Sequence, residues 1–446
     1  MAKELFGTDG IRGVAGEYPL DPGTVYAFGV ALGDDARAAA ESPEIVIGTD
    51  TRESGPWIAE LVAGGIQSRG GRVRYAGVIT TPGVAYLTRT GPFQAGVMIS
   101  ASHNPFQDNG IKVFGHSGFK LPDAEEHSIE QEIFRLRQQA AQPAPATLTI
   151  DEGLDWQYLE YLISTVPARF EGLRIVLDCG NGAAYRLAPE LFRRLGAEVT
   201  LLCAEPNGRN INLNCGALHV EGLRNAVVAQ AADGGVAFDG DADRAIFVSG
   251  SGKLVDGDAV LLAAARALKS AGRLSGGTVV ATVMSNLGLE KALEREGIRL
   301  TRTPVGDKYV LEEMVRIDAP LGGEQSGHVI FRQYATTGDG MLTALQVWAI
   351  ARQSGASLDE LTAGLEIYPQ KLVNVRVRDK RALTEVPSVA REIRIVEEEF
   401  GGAGRVLVRF SGTEPLARVM VEGPSLEQVE RGTARIAEAI RRAMGA

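Results

Sequence analysis

Cysteine is scarce in this chain: Cys179, Cys203 and Cys215 are the only three in 446 residues, with no Cys-x-x-Cys pair among them. An odd count without paired spacing fits buried free thiols in a reducing compartment better than a disulfide framework or a zinc site. Long apolar runs are also missing. No stretch approaches the ~20 residues of a membrane helix, and "MAKELFGTDGIRG" has no apolar core of signal-peptide length. The sequence is therefore expected to be cytoplasmic, without a membrane partner. Positive charge is in deficit too: 46 Lys and Arg face 56 Asp and Glu, a net charge of -10. That argues against a nucleic-acid partner but leaves room for a local basic pocket that holds a phosphate.

Glycine, by contrast, is abundant: 54 in 446 residues is about 12%, against roughly 7% in an average protein. So much glycine signals tight loops and close backbone approach. The length exceeds one hydrophobic core and predicts three or four domains. Short β-branched runs ("EIVIG", "RVRYAG", "AGVMIS") alternate with helical stretches such as "SGPWIAELVAGGIQSRG", the βαβ rhythm of an α/β domain. "LRIVLDCGNG" through "GGVAFDGDADR" reads as a second such unit and "GTVVATVMSN" through "GMLTALQVWAIARQS" as a third. From "KLVNVRVRD" to the amphipathic "LEQVERGTARIAEAIRRAM" the pattern is that of a smaller α+β domain. The expected divisions are 1–150, 151–250, 251–367 and 368–446, with linker-like sequence at "QQAAQPAPATLTI".

The loops after these strands carry the chemistry. "FDGDADR" sets Asp239, Asp241 and Asp243 at alternate positions. Three carboxylates so close repel unless a cation sits among them, and an all-oxygen set suits magnesium or calcium. An EF-hand is excluded, because Arg244 stands at its glycine position and Gly250 at its glutamate position. A phosphatase with an aspartyl nucleophile remains an alternative. "MISASHNPF" stops an apolar run abruptly with Ser100, Ser102, His103 and Asn104. A serine on such a turn can act as a nucleophile with His103 as its proton partner, or the segment is an ordinary turn before Pro105. "RFSGTEPLAR" gathers Arg409, Ser411, Gly412, Thr413 and Arg418, a phosphate cradle or a plain hairpin. "GGEQSGH" offers Glu324, Ser326 and His328 to sugar hydroxyls or an amine. Arg12 and Arg52 are either structural ion-pair partners or cations facing the cleft, and Arg12, beside two glycines, is the stronger functional candidate.

Taken in order, "SASHNP", "DGDADR", "GGEQSGH" and "RFSGTEP" make the chain resemble the α-D-phosphohexomutases over essentially its full length. Through "FGTDGIRG", "SASHNPFQDNGIK", "GGEQSGHVIF" and "TTGDGMLTALQ" it is most similar to the bacterial amino-sugar branch. The resemblance implies three α/β mixed-sheet domains and a smaller C-terminal α+β domain around a central cleft. It implies that Ser102 carries a phosphoryl group and joins Asp239, Asp241 and Asp243 in holding one Mg2+, with Arg244 steadying the transferring group. The implied reaction interconverts glucosamine 6-phosphate and glucosamine 1-phosphate through a 1,6-bisphosphate intermediate, a hexose or hexosamine 1,6-bisphosphate serving as activator. The route leads to UDP-N-acetylglucosamine, and a homodimer is possible. His103, Lys112 and His328 are the general acid and base candidates, with Arg12 beside them. Glu324 and Ser326 would bind sugar, and Arg409 to Thr413 with Arg418 a phosphate. The alternative within the family is a neutral hexose phosphate. Phe410, where the family's phosphate loop usually has proline, and Thr49 before "DTR" depart from its pattern.

Overall fold

The computed structural model of the chain describes residues 4–7, 9–139, 142–382, 385–411 and 415–445. The chain forms two compact units, residues 1–284 with 300–363, and residues 285–299 with 364–446. Among the described residues the strands make four sheets.

The first sheet holds β1 (Phe6–Gly7), β2 (Gly10–Val14), β3 (Glu44–Thr49), β4 (Arg72–Val78), β5 (Phe93–Ile99) and β6 (Asp108–Gly115), in the order β1-β2-β6-β5-β3-β4. β4, β3 and β5 are parallel and β6 antiparallel to β5. Ile45, Val46 and Ile47 of β3 are fully buried, as expected of a parallel strand covered on both faces. The helix Pro22–Ala39 packs on one face, opened by the Asp21 side chain accepting from Thr24 N. The run read as a linker is largely exposed but is tethered at its middle: Ala146 N donates to Glu60 O, and a Cβ on Gly64 would meet Ala144 O at 1.9 Å. Only glycine lets the segment lie so close to the helix Gly55–Ser68.

The second sheet comprises β7 (Arg174–Asp178), β8 (Glu198–Leu202), β9 (Gly234–Phe238), β10 (Ala245–Ser249) and β11 (Leu254–Val255), in the order β11-β10-β9-β7-β8. The aspartate loop joins β9 to antiparallel β10, whose first pair is Phe238 with Ala245. The third contains β12 (Thr278–Thr282), β13 (Arg299–Thr303), β14 (Leu321–Gly323) and β15 (Val329–Phe331). "EQSGH" is the turn between β14 and β15, closed by Glu324 N to His328 O at 2.8 Å. The chemistry-bearing loops thus follow strand ends, where open α/β sheets place their ligands.

The C-terminal unit has the antiparallel sheet β16 (Gln370–Arg376), β17 (Arg405–Phe410) and β18 (Leu416–Glu422), ordered β16-β18-β17. The helices Pro387–Phe400 and Leu426–Met444 cover it, burying Val396, Phe400, Ile436 and Ile440 against Val419 and Val421. Buried Glu422 ties Leu287–Arg295 into this unit, accepting from Leu287 N at 2.8 Å and from Arg405 Nε at 2.5 Å. Phe410 packs against this core rather than standing free.

Candidate active site

The two serines after β5 have different tasks. Ser100 is fully buried; its hydroxyl donates to Asp50 Oδ2 at 2.6 Å and accepts Ser102 N at 2.9 Å, so it builds the turn. Ser102 sits in the left-handed region at φ +54°, a conformation that costs a non-glycine residue of order 1–3 kcal/mol and persists only where surroundings impose it. Arg52 imposes it. Only 1% exposed, its guanidinium pairs with Asp50 Oδ2 at 2.9 Å and donates to the carbonyls of Ser102 (3.0 Å), Asn104 (2.9 Å) and Pro105. Of the two readings open for Arg52, the structure selects the structural one, a buried clamp on the serine loop. Burial pushes the Asp50 carboxyl up, opposed chiefly by Arg52.

The Ser102 hydroxyl donates to Asp239 Oδ2, and one oxygen from each of Asp239, Asp241 and Asp243 lies within 4.8 Å of the others. Asp239 and Asp241 are fully buried and Asp243 nearly so. Lys112, also buried, reaches Asp241 at 2.8 Å, Asp9 at 3.1 Å and Asp243 at 3.5 Å, while Thr81 Oγ1 donates to Asp241 Oδ2 at 2.5 Å. Burial would lower the Lys112 pKa, but Asp241, Asp9 and Asp243 outweigh it and raise it, so Lys112 is a held ammonium, a fixed charge and hydrogen-bond donor rather than a base. Burial and then the neighbouring Asp243 and Asp241 push the Asp239 carboxyl well above its usual range. At Asp243 burial acts upward, but Lys112, His328 and Arg244 prevail and hold the carboxyl well below. Asp241 Oδ1 and Asp243 Oδ1 are buried with no hydrogen-bond partner. Orphaned carboxylate oxygens converging in one small volume, with a serine oxygen at their edge, suit a hard cation.

The sequence-predicted partners surround this centre. His103 Nδ1 is 3.3 Å from Ser102 Oγ, and burial, then Arg244 and Arg12, lower its pKa to about 4, so the ring is neutral at pH 7. Arg12 pairs with Asp9 and donates to Ala101 O at 3.4 Å. Arg244 donates its backbone N–H to Asp239 Oδ1 at 3.1 Å, with Nε 3.7 Å from Asp243 Oδ1. His328 Nδ1 faces Asp243 Oδ2 at 3.6 Å, and Nε2 accepts Gly338 N at 3.0 Å. Burial would lower its pKa, but the carboxylates, Asp243 first, lift it to about 9. A lone pair on Nε2 for Gly338 requires the neutral Nδ1–H tautomer; the hydrogen bond is the firmer guide, because charge taken up among the aspartates removes the carboxylate pull. On the β14–β15 turn Glu324 Oε1 accepts Gly306 N at 3.3 Å, and Ser326 Oγ is buried with no partner.

In the C-terminal unit Arg409 and Arg418 stand directly opposite on β17 and β18. Like charges in that position repel. Burial and then Arg418 depress the Arg409 pKa, and an anion between the two would relieve both. Ser411 is buried; its N–H donates to Leu416 O at 2.8 Å and its carbonyl accepts Lys380 Nζ at 2.6 Å. Gly412 and Thr413 lie outside the described residues.

Family comparisons agree with this geometry. The four phosphoglucomutase/phosphomannomutase domain models match in order: α/β/α domain I over residues 3–140, domain II over 157–252, domain III over 256–368 and the C-terminal domain over 372–439. The chain belongs to this family. As a phosphohexomutase it is an isomerase that works by phosphoryl transfer. It is 73% identical over 445 residues to the phosphoglucosamine mutase of Solibacter usitatus, covering all of both chains. It is 52% identical over 454 residues to that of Koribacter versatilis, covering 99% of this chain and 98% of the relative. The fold matches a phosphoglucomutase/phosphomannomutase family protein from Burkholderia thailandensis with TM-score 0.80 at 24% identity, over 98% of this chain and 97% of the other.

Sequence reasoning missed several members of this phosphohexomutase site. Lys120 Nζ bridges Asp9 (2.6 Å) and Asp307 (2.5 Å), and Asp307 lies 3.8 Å from His328 Nε2. Thr81, Asp50, Asn212 and Lys380 were also unmarked. Asp50 stands in "DTR" with its partner Arg52 two residues on, so it was within reach of sequence reasoning; the others act through partners distant in the chain.

Proposed function

We propose that the chain interconverts glucosamine 6-phosphate and glucosamine 1-phosphate through phospho-Ser102 and a 1,6-bisphosphate intermediate. The observation that carries this reading is the Ser102 hydroxyl seated on Asp239 beside the partnerless oxygens of Asp241 and Asp243, in a chain so similar to phosphoglucosamine mutases. Asp239, Asp241, Asp243 and Ser102 would hold one Mg2+, which when bound draws charge from a phosphoryl oxygen as the group transfers. Arg244 and the Lys112 ammonium supply fixed positive charge there at no cost in reorganisation. Neutral His103, in contact with Ser102 Oγ, fits a proton acceptor, while His328, a neutral ring with its Nδ1–H toward Asp243, fits a hydrogen-bond donor that orients that carboxylate. Arg12 is the cation beside them. Glu324 and Ser326 fit sugar recognition, the latter with an uncommitted buried hydroxyl. The opposed Arg409 and Arg418, with Ser411, Gly412 and Thr413, fit the phosphate that is not reacting, either end of the bisphosphate in turn.

This reading uses the divisions 1–150, 151–250, 251–367 and 368–446 for the serine, metal, sugar and phosphate loops, places the chain in the cytoplasm and is compatible with a homodimer. No helix among the described residues is long and apolar enough to cross a membrane. The test is conversion of glucosamine 1-phosphate with Mg2+ and a trace of glucose 1,6-bisphosphate, comparing the native chain with Ser102→Ala. Conversion lost in the variant and after chelation supports the reading. A native chain phosphorylated on Ser102 that turns over only glucose or mannose phosphates overturns the substrate, and phosphate release surviving Ser102→Ala overturns the mechanism.

A further inference from the structure

We propose that Asn212 is a positioning residue for the phosphoryl-accepting serine: a side chain of the second α/β region that holds the Ser102 carbonyl and so fixes the direction of the hydroxyl. The inference rests on the role proposed for Ser102. Asn212 Nδ2 donates to Ser102 O at 2.9 Å and to Asn104 O at 3.3 Å. It thus holds two of the three carbonyls that Arg52 holds. The Ser102 carbonyl is turned this way only because the residue is left-handed at φ +54°. With two donors it is pinned; with one, the peptide can rotate toward the β region, and the Oγ swings with it away from Asp239.

Asn212 is itself built for the task. It too is left-handed, at φ +57°, a conformation asparagine tolerates better than other non-glycine residues. Its N–H donates to Gly180 O at 2.8 Å. On either side of it Asn181 Nδ2 holds Asn210 O at 3.2 Å and the Asp178 carboxylate accepts Gly216 N at 3.0 Å. Those anchors lie at the end of β7 and on the loop after it, and β7 neighbours β9, the strand that leads into the aspartates. The serine loop and the carboxylates follow strands of different sheets; Lys112 and Thr81 join those sheets at Asp241, and the Asn212 carboxamide is the link that holds the serine's own carbonyl.

Two variants separate the donor from the backbone. Asn212→Gly keeps the left-handed turn without cost and removes the amide; Asn212→Asp keeps the shape and replaces the donor with an acceptor. The readouts are kcat and KM for the hexosamine phosphate, the rate at which Ser102 gains a phosphoryl group from glucose 1,6-bisphosphate by intact mass, and the thermal midpoint. Both variants are expected to lower kcat and the Ser102 phosphorylation rate by about 10- to 100-fold, the scale of an ångström-level misplacement, with KM unchanged in both and the midpoint unchanged in Asn212→Gly; in Asn212→Asp the carboxylate faces two carbonyls and lowers the midpoint as well. Native-like kcat in Asn212→Gly overturns the proposal, as does a loss seen in that variant only in KM or only with a fallen midpoint. Failure of the native chain to phosphorylate Ser102 sinks the underlying mutase reading instead.

Discussion

Gly240, inside the aspartate loop, gives the sharpest steric prediction. A Cβ built there would meet Ser102 O at 2.4 Å, Ile211 Cδ1 at 2.8 Å and Asn212 Nδ2 at 2.9 Å. Ordinary contact begins at 3.4 Å, so Gly240→Ala must drive the Ser102 carbonyl back by about 1 Å or break its donors. Gly240 does not lie in the left-handed region, so alanine adds crowding without backbone strain. Misplacing a reacting group by about 1 Å costs on the order of 100-fold in rate, about 2.7 kcal/mol in the barrier. Overpacking costs about 1–3 kcal/mol of stability. The assay is steady-state kcat for the sugar phosphate with the phosphorylation state of Ser102 followed by intact mass. Gly222→Ala is the control, since a Cβ there meets nothing within 4 Å; it should leave kcat unchanged. If Gly240→Ala keeps kcat within twofold of native, the close packing of the aspartate loop on the serine loop does not set the reacting geometry.

Two further predictions concern stability. Glu130, 1% exposed, accepts the backbone N–H groups of Glu4, Leu5 and Phe6 at 2.9, 2.7 and 3.1 Å. Glu130→Ala strands at least the two buried donors, which at about 1–3 kcal/mol each predicts about 2–6 kcal/mol of local destabilisation and fast amide exchange over residues 5–14; slow exchange there would refute it. Asp339 is 2% exposed, accepts Tyr158 OH at 2.7 Å and Leu342 N at 2.9 Å, and burial pushes its carboxyl up to about 6 from 3.8. The folded state therefore binds the proton more tightly than the unfolded one. The contribution is whole below pH ~4 and lost as pH rises through about 6, a swing of about 3 kcal/mol. An uncharged asparagine side chain at this position can still accept Leu342 N and meet the Tyr158 hydroxyl with its amide. Asp339→Asn should therefore be more stable than native at pH 8, with the gap closing toward pH 4 in urea titrations; a gap independent of pH would rule this out.

What was legible in the sequence was what lies close together along it. Asp239, Asp241 and Asp243 share one short loop, so their convergence follows from spacing alone, and the β-strand ends at Ile99 and Phe238 were marked by abrupt loss of apolar residues. Long-range partners were not. Arg52 could be read either as an ion-pair partner or as a cleft cation, and only its burial against Asp50 and three loop carbonyls decides it. Ser100 and Ser102 look alike in sequence; tertiary contacts with Asp50 and Asp239 separate the one that builds the turn from the one that faces the carboxylates. Lys120 and Asp307 are unremarkable single charges 187 positions apart that meet at 2.5 Å.

These long-range charges explain why so acidic a centre can exist in a buried place and still accept a phosphate. Asp9, Asp239, Asp241, Asp243 and Asp307 are joined by hydrogen bonds or ion pairs to Arg12, Lys112, Lys120 and Arg244, with neutral His328 between Asp243 and Asp307. Five ionised carboxylates against four permanent cations would leave one negative charge, and the raised Asp239 carboxyl removes that excess by holding a proton until a cation displaces it. With a divalent cation among the aspartates the balance becomes one positive charge, and with a phosphoryl dianion added it returns to one negative. No state along that series departs from neutrality by more than one unit, so none incurs the desolvation cost of a bare multiple charge. Removing Lys120 or Asp9, neither of which touches Ser102, breaks that balance; the outer ion pairs are thereby part of what lets the aspartate loop work.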